Sequence, residues 1–318
     1  LPEGYVFKSG STWISDPSGT ELTNVSMAKI PIKSMNYPTE MSMTYGGAGT
    51  LIVNVRGTGA VSFQWYKVEG GKATAVGDAT AKYQFNLAEQ KLSAGKHIFR
   101  FSATCDGYKK MSQDIVVTVQ KADIRSGLIT PPTARENLTY TGHEQALIIA
   151  GSVTDYGTMQ YSLTENGTYS PDIPVGTDAG AYTVWYRVIG DENHNDTTPA
   201  SVEVSIGKKP LTLTGVTAAS KSYDGTTDAG ITSVTFDNVT LNRGTDYTVT
   251  ASFDDASVGN GKNITATVTL MGQTAKNYSL EQSSFTTTGS IIKAAAPDFT
   301  KETALVIVNG HEKTYTVT

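Results

Sequence analysis

The 318-residue chain has a single cysteine, Cys105, so no disulfide framework can brace it internally. Charge is scarce too: charged residues make up 17%, and 30 acidic against 25 basic side chains leave a net charge of −5. Nucleic acid is excluded as a partner, because no basic field and no run of Lys and Arg interleaved with aromatics is present to meet phosphates. Long apolar runs are also missing. The longest, such as Ala146 to Ala150, fall far short of the ~20 residues a membrane-spanning helix needs, which predicts no membrane span. The opening Leu1-Pro2-Glu3-Gly4-Tyr5 lacks the basic end and apolar stretch of a signal peptide, so the chain reads as a mature or excised portion.

The usual patterns of catalysis are absent. No Gly-x-Ser-x-Gly elbow, phosphate loop or Cys/His pairing occurs. His97, His143, His194 and His311 are scattered, and none has a Cys or His at metal-ligand spacing. Asp191-Glu192-Asn193-His194-Asn195-Asp196 is rich in oxygen ligands but lacks the spaced acidic pattern and central Gly of a calcium loop. It reads as a solvated hairpin turn. Asp254-Asp255 suggests paired carboxylates, but neighbours on a strand face opposite ways, so a turn is the expectation. Cys105 falls in a strand and is expected to be buried as a small apolar group. The chain is therefore read as no enzyme, with no catalytic, cofactor or metal site.

What is abundant points to strands. Gly (31) and Tyr (16) accompany many Thr and Val, which favours pleated strands joined by tight turns. Period-two alternation marks Leu51 to Val55, Val61 to Val68, Tyr182 to Val188, Tyr247 to Phe253 and Ile264 to Leu270. In Tyr182 to Val188 the face carrying Tyr182, Val184, Tyr186 and Val188 is assigned to the interior, which turns Trp185 outward. Trp65, in Phe63-Gln64-Trp65-Tyr66-Lys67-Val68, is the expected core anchor of its sandwich. Phe85 to Leu92 should form a short helical turn before the next strand.

Three phrases recur. A small residue followed by Gly and a strand appears at Ala94-Gly95, Ala179-Gly180 and Ser257 to Gly261, where Gly95, Gly180 and Gly261 are set as equivalents 85 and 81 residues apart. A strand ending on Lys recurs at Lys121, Lys208 and Lys293. A Tyr two residues before Gly opens each unit, at Tyr45-Gly46-Gly47, Tyr140-Thr141-Gly142 and Tyr223-Asp224-Gly225, and Val308-Asn309-Gly310 stands where a fourth copy should start. A period of about 85 residues matches one small sandwich per repeat. The fold class is thus all-β, as tandem immunoglobulin-like β-sandwich modules in an elongated arrangement. The expected divisions are a non-repeating segment 1–35, modules 36–121, 122–208 and 209–293, and opening strands of a truncated fourth module over 294–318.

Lys221-Ser222-Tyr223-Asp224-Gly225-Thr226-Thr227, followed by Ala275-Lys276-Asn277-Tyr278-Ser279-Leu280, resembles the YDG-type repeat over about 209–293. Leu138-Thr139-Tyr140-Thr141-Gly142 with Gly176 to Tyr182 resembles the related MBG-type immunoglobulin-like repeat over about 122–208. The first unit departs from both, since Tyr45-Gly46-Gly47 lacks the Asp. Such resemblance implies tandem repeats on secreted, wall-attached proteins of Gram-positive bacteria, extracellular at the cell surface, serving as stalks or adhesive modules. A host glycan or extracellular matrix protein is the partner this implies. The alternative is a set of non-catalytic accessory modules of a large secreted carbohydrate-active enzyme, with Trp185 the candidate ligand-binding residue and Trp13 a further outward aromatic.

Overall fold

Alternating burial along single strands sets the architecture. In the computed structural model the described residues are 5–7, 27–77, 84–295, 303–308 and 311–316, with side chains described over 30–77 and 84–295. Contacts gather the chain into two compact units. Unit 1 comprises Leu1–Thr133, Ala150–Ile173 and Trp185–Val202; unit 2 comprises Ala134–Ile149, Pro174–Val184 and Glu203–Thr318.

Unit 1 holds a sandwich formed within residues 32–120. Its main sheet has the order β2 (Glu40–Thr44), β10 (Ile115–Gln120), β8 (Gly95–Cys105), β5 (Ser62–Glu69), β6 (Lys72–Val76), with β9 (Tyr108–Met111) also paired to β8. All neighbours are antiparallel except β2 and β10, which run parallel. The facing layer consists of two strand pairs, β1 (Ile32–Asn36) with β4 (Asn54–Gly57) and β3 (Thr50–Ile52) with β7 (Gln84–Asn86). Inward residues alternate as a half-buried sheet requires: Phe63 and Trp65 on β5, Phe99, Phe101, Ala103 and Cys105 on β8, Ile115, Val117 and Val119 on β10. They close on Leu51, Val53, Phe85 and Leu87 from the opposite layer. Trp65 stacks on Phe85 with ring centres 4.9 Å apart and is the expected anchor. Cys105 is buried in the same core, and Ala88–Gln90 forms the short helical turn.

Unit 1 also contains β11 (Gly157–Ser162), which pairs antiparallel with the 185–190 part of β12 (Gly180–Gly190). Val184 and Val188 on β12 are buried, while Tyr182, Trp185 and Tyr186 are half-buried. The interior face of this strand is the one the alternation selected.

Unit 2 contains the strand pair Gln145–Ala146 with Val175–Gly176, the last residues of β13 (Ala200–Ile206), and a sandwich formed within residues 209–292. There, β14 (Lys209–Leu211) is followed by the antiparallel pair β15 (Leu213–Ala218) and β17 (Ile231–Phe236). The facing sheet runs β16 (Lys221–Ser222), β21 (Ser284–Ile292), β19 (Gly259–Leu270), β18 (Tyr247–Phe253). Helix α1 (Gly272–Asn277) leads into β20 (Tyr278–Leu280), which pairs in parallel with β14. Leu213, Val216, Ile231, Tyr247, Phe253, Ile264, Ala266, Val268 and Ile291 form its core. Both units are thus built from immunoglobulin-like sandwich layers. Thr303–Val308 and His311–Thr316 pair as an antiparallel hairpin.

Candidate functional site

The acidic pair of the third repeat is consumed by its own loop. One Asp255 oxygen accepts from Lys262 Nζ at 2.5 Å, from the Ser257 amide at 2.7 Å and from the Ser257 hydroxyl. The Lys262 ammonium, above all, holds that carboxyl far below the usual range. Asp254 lies 3.8 Å from the same Nζ. Trp185 lies on the outer face of β12 opposite Ser162, half-buried, with Arg187 on the same face stacked over the Tyr169 ring at 4.3 Å. Trp13 and the side chain of His311 lie outside the described residues, as do Asn309 and Gly310.

The oxygen-rich loop Asp191 to Asp196 is a turn with Asp191, Glu192, Asn195 and Asp196 exposed, but its centre is held inward. His194 is 6% exposed. Its Nδ1 donates to Asp191 Oδ1 at 2.7 Å, its ring stacks on Tyr156 at 4.2 Å, and Tyr45 meets it edge-on at 5.4 Å. That hydrogen bond is the main reason the Asp191 carboxyl sits below its ordinary range. The loop is clamped because its Asn and aromatic are claimed by residues of the first repeat, a bond across the sequence that no local turn rule anticipates.

Those claimants are the three repeated phrases themselves. The Ala94 amide, just before Gly95, donates to Asn193 Oδ1 at 2.7 Å over a separation of 99 residues. Lys121, the Lys that ends the repeat, donates from Nζ to the carbonyls of Asp191 and His194 at 3.0 and 3.1 Å. Tyr45, of the Tyr-x-Gly phrase, packs on His194. Ala122, the residue after the Lys, bridges in parallel to His194, with its amide donating to the Asn193 carbonyl at 2.9 Å.

Unit 2 repeats the arrangement with different residues. The Ala179 amide donates to Asn277 Oδ1 at 2.8 Å over 98 residues. Lys208 Nζ donates to the Ala275 carbonyl at 2.6 Å, Tyr140 meets Tyr278 edge-on at 5.3 Å, and Lys209 pairs in parallel with Tyr278. Each arrangement therefore has a socket (Ala before Gly, terminal Lys, Tyr) and a plug some 98 or 99 residues further on, an Asn followed by an aromatic. Asn277 is 4% exposed and has both ends of its carboxamide satisfied, since its Nδ2 donates to Asp178 Oδ1 at 3.0 Å. An Asp there would set an acceptor against an acceptor. Lys276 adds a 2.8 Å ion pair to the other Asp178 oxygen and is the main reason that carboxyl is lowered.

Local structure holds each socket together. The Tyr amide donates to the carbonyl of the residue before the Lys: Tyr45 to Gln120 at 2.8 Å, Tyr140 to Gly207 at 2.9 Å, Tyr223 to Ile292 at 2.8 Å. Gly95 pairs with Val119 and Gly259 with Ile291, in both cases two residues before the Lys. Gly259, rather than Gly261, is thus the structural counterpart of Gly95. A register shift between Gly259 and Lys262 puts the extra residue after it. Gly95 and Gly180 have φ of 130° and 152°, a backbone region L side chains rarely adopt, which is why Gly follows the amide at these two positions; in the third copy the positive φ falls at Gly261, at 65°.

The family model of the YDG domain matches residues 207–287, which contain β14, α1 and the plug Asn277-Tyr278. No curated protein matches the chain. Among solved structures, the fibronectin(III)-like modules of Clostridium thermocellum CbhA are similar at 16% identity, covering 55% of this chain and 94% of that one, with a TM-score of 0.23. The N-terminal four Ig domains of Dscam1 isoform 1.9 are similar at 14% identity with a TM-score of 0.26, covering 53% of this chain and 43% of theirs, so the chain spans less than half of that structure. Bacteroides ovatus SGBP-B, of a mixed-linkage glucan utilization locus and in complex with a heptasaccharide, is similar at 15% identity over 81% of this chain and 67% of that one, with a TM-score of 0.23.

Proposed function

We propose that the chain is a non-catalytic stalk region of a bacterial cell-surface protein, extracellular, built of repeats 36–121, 122–208 and 209–293, the second of MBG type. The observation that carries this is the joint. Both joints tie the end of one repeat to the head of the next through a buried amide–carboxamide hydrogen bond, a Lys on backbone carbonyls and an edge-on aromatic pair. Such fixed joints suit a part that holds something else at a distance. The half-buried Trp185 supports a second reading, an accessory module that stacks a sugar ring on an outer aromatic face.

Exposing the full chain to arrayed glycans and matrix proteins, beside Trp185→Ala, tests the two. The stalk reading predicts no specific binding by either protein. Specific binding that disappears in Trp185→Ala would replace it with the accessory or adhesive module, with a host glycan or matrix protein as partner.

A further inference from the structure

The third repeat carries the same three phrases, and among the described residues no Asn–aromatic loop is seated on them. Tyr223 is held to the terminal strand by the same amide bond as Tyr45 and Tyr140, and Gly259 has the same register as Gly95. Yet Tyr223 is 48% exposed and Val258, in the place of Ala94 and Ala179, is 52% exposed, whereas Ala179 is 4% exposed. Ala294, the counterpart of the half-buried Ala122, is exposed as well, while the terminal Lys is exposed in all three copies. Among the described residues no acceptor lies on the Val258 amide.

We propose that this face is a docking site for the Asn–aromatic loop at the head of another repeat of this kind. The proposal rests on the reading of the chain as repeats, and two occupied copies of the same socket define the chemistry of its occupant. The occupant must bring a carboxamide oxygen to the Val258 amide, backbone carbonyls to Lys293, a ring to Tyr223 and a strand edge to Ala294. A second copy of this chain is a poor occupant through its first repeat. There Asp106-Gly107-Tyr108 occupies the loop before β9, with Gly107 where the carboxamide is needed and Tyr108 packed against the first core. The YDG turn presents the site: Asp224 Oδ1 accepts from Lys221 Nζ at 2.8 Å and from the Thr226 amide at 2.9 Å, which fixes the turn that projects Tyr223.

The test splices a second copy of residues 209–293 directly after Lys293 of the chain, which reproduces the Lys-to-Lys209 connection found after Lys208. The Val258 amide should then exchange with solvent about tenfold more slowly or better, and Asn277→Ala in the added copy should restore its rate. An unchanged Val258 rate beside slow core amides in the added copy would overturn the proposal. A second variant needs no added repeat: Asp178→Ser with Ala179→Val in the natural chain gives the occupied socket the residues of the third. The amide at position 179 should stay protected by Asn277; if it becomes fast while the core stays folded, the third socket cannot accept this plug. Loss of protection at Ala179 in the unaltered chain would instead sink the reading of coupled repeats as a whole.

Discussion

Asp224 is a structural acid. Its carboxyl is pulled down to about 2, chiefly by the Lys221 ammonium and then by the Thr226 amide. Because the folded value lies below the ~3.9 of a free Asp, the turn's contribution to stability is complete above that range. It is lost as pH falls through the folded value. Following the Asp224 carboxyl by NMR should give a midpoint near 2, and a midpoint close to that of a free Asp would show that the turn is not locked in solution. Asn277 illustrates the opposite demand, a neutral group required because donor and acceptor must both be offered at a buried point. Neither role is visible in the residue alone: an Asp in a Gly turn and an Asn before a Tyr are ordinary in any strand-rich chain.

Between elements, alternation did most of the specifying. The inward faces of β5, β8, β10 and β12 follow directly from it, and Trp65 was identifiable as an anchor because a large aromatic sat on such a face. Trp65→Ala should cost the first sandwich about 3–5 kcal/mol, as large aromatic truncations in cores do, read as an earlier denaturant midpoint. A cost below about 1 kcal/mol would mean that Phe85 and Phe101 repack without it. The joint was only half legible. Its socket appeared in the sequence as three recurring phrases, but as boundary markers. Its plug at Asp191 to Asp196 reads in sequence only as a solvated turn, because hydrogen bonds across 98 and 99 residues leave no local periodicity. The register shift after Gly259 also hid the equivalence of Val258 to Ala94 and Ala179.

For the whole molecule, the account places cohesion in packing and hydrogen bonds rather than in disulfides or bound ions. Cys105 is free and buried. Among the described residues no cluster of three or more His, Cys, Asp or Glu is arranged to hold a metal, and no helix there is long and apolar enough to cross a membrane. In the Asp191 to Asp196 loop one oxygen of each Asp is already engaged, Asp191 Oδ1 by His194 and Asp196 Oδ1 by the Gly190 amide at 3.0 Å. Calcium or a chelator should therefore leave the melting midpoint unchanged; a rise with calcium would reveal a ligand set the loop does not offer. The central claim, that the Asn193 and Asn277 carboxamides lock the Ala94 and Ala179 sockets, is tested most directly by amide hydrogen exchange at Ala94 and Ala179. Both amides should be slow in the unaltered chain. Asn193→Ala should release Ala94 alone and Asn277→Ala should release Ala179 alone, each by about tenfold, with core amides unmoved. Fast exchange at both sites in the unaltered chain, or rates indifferent to the two substitutions, would contradict it.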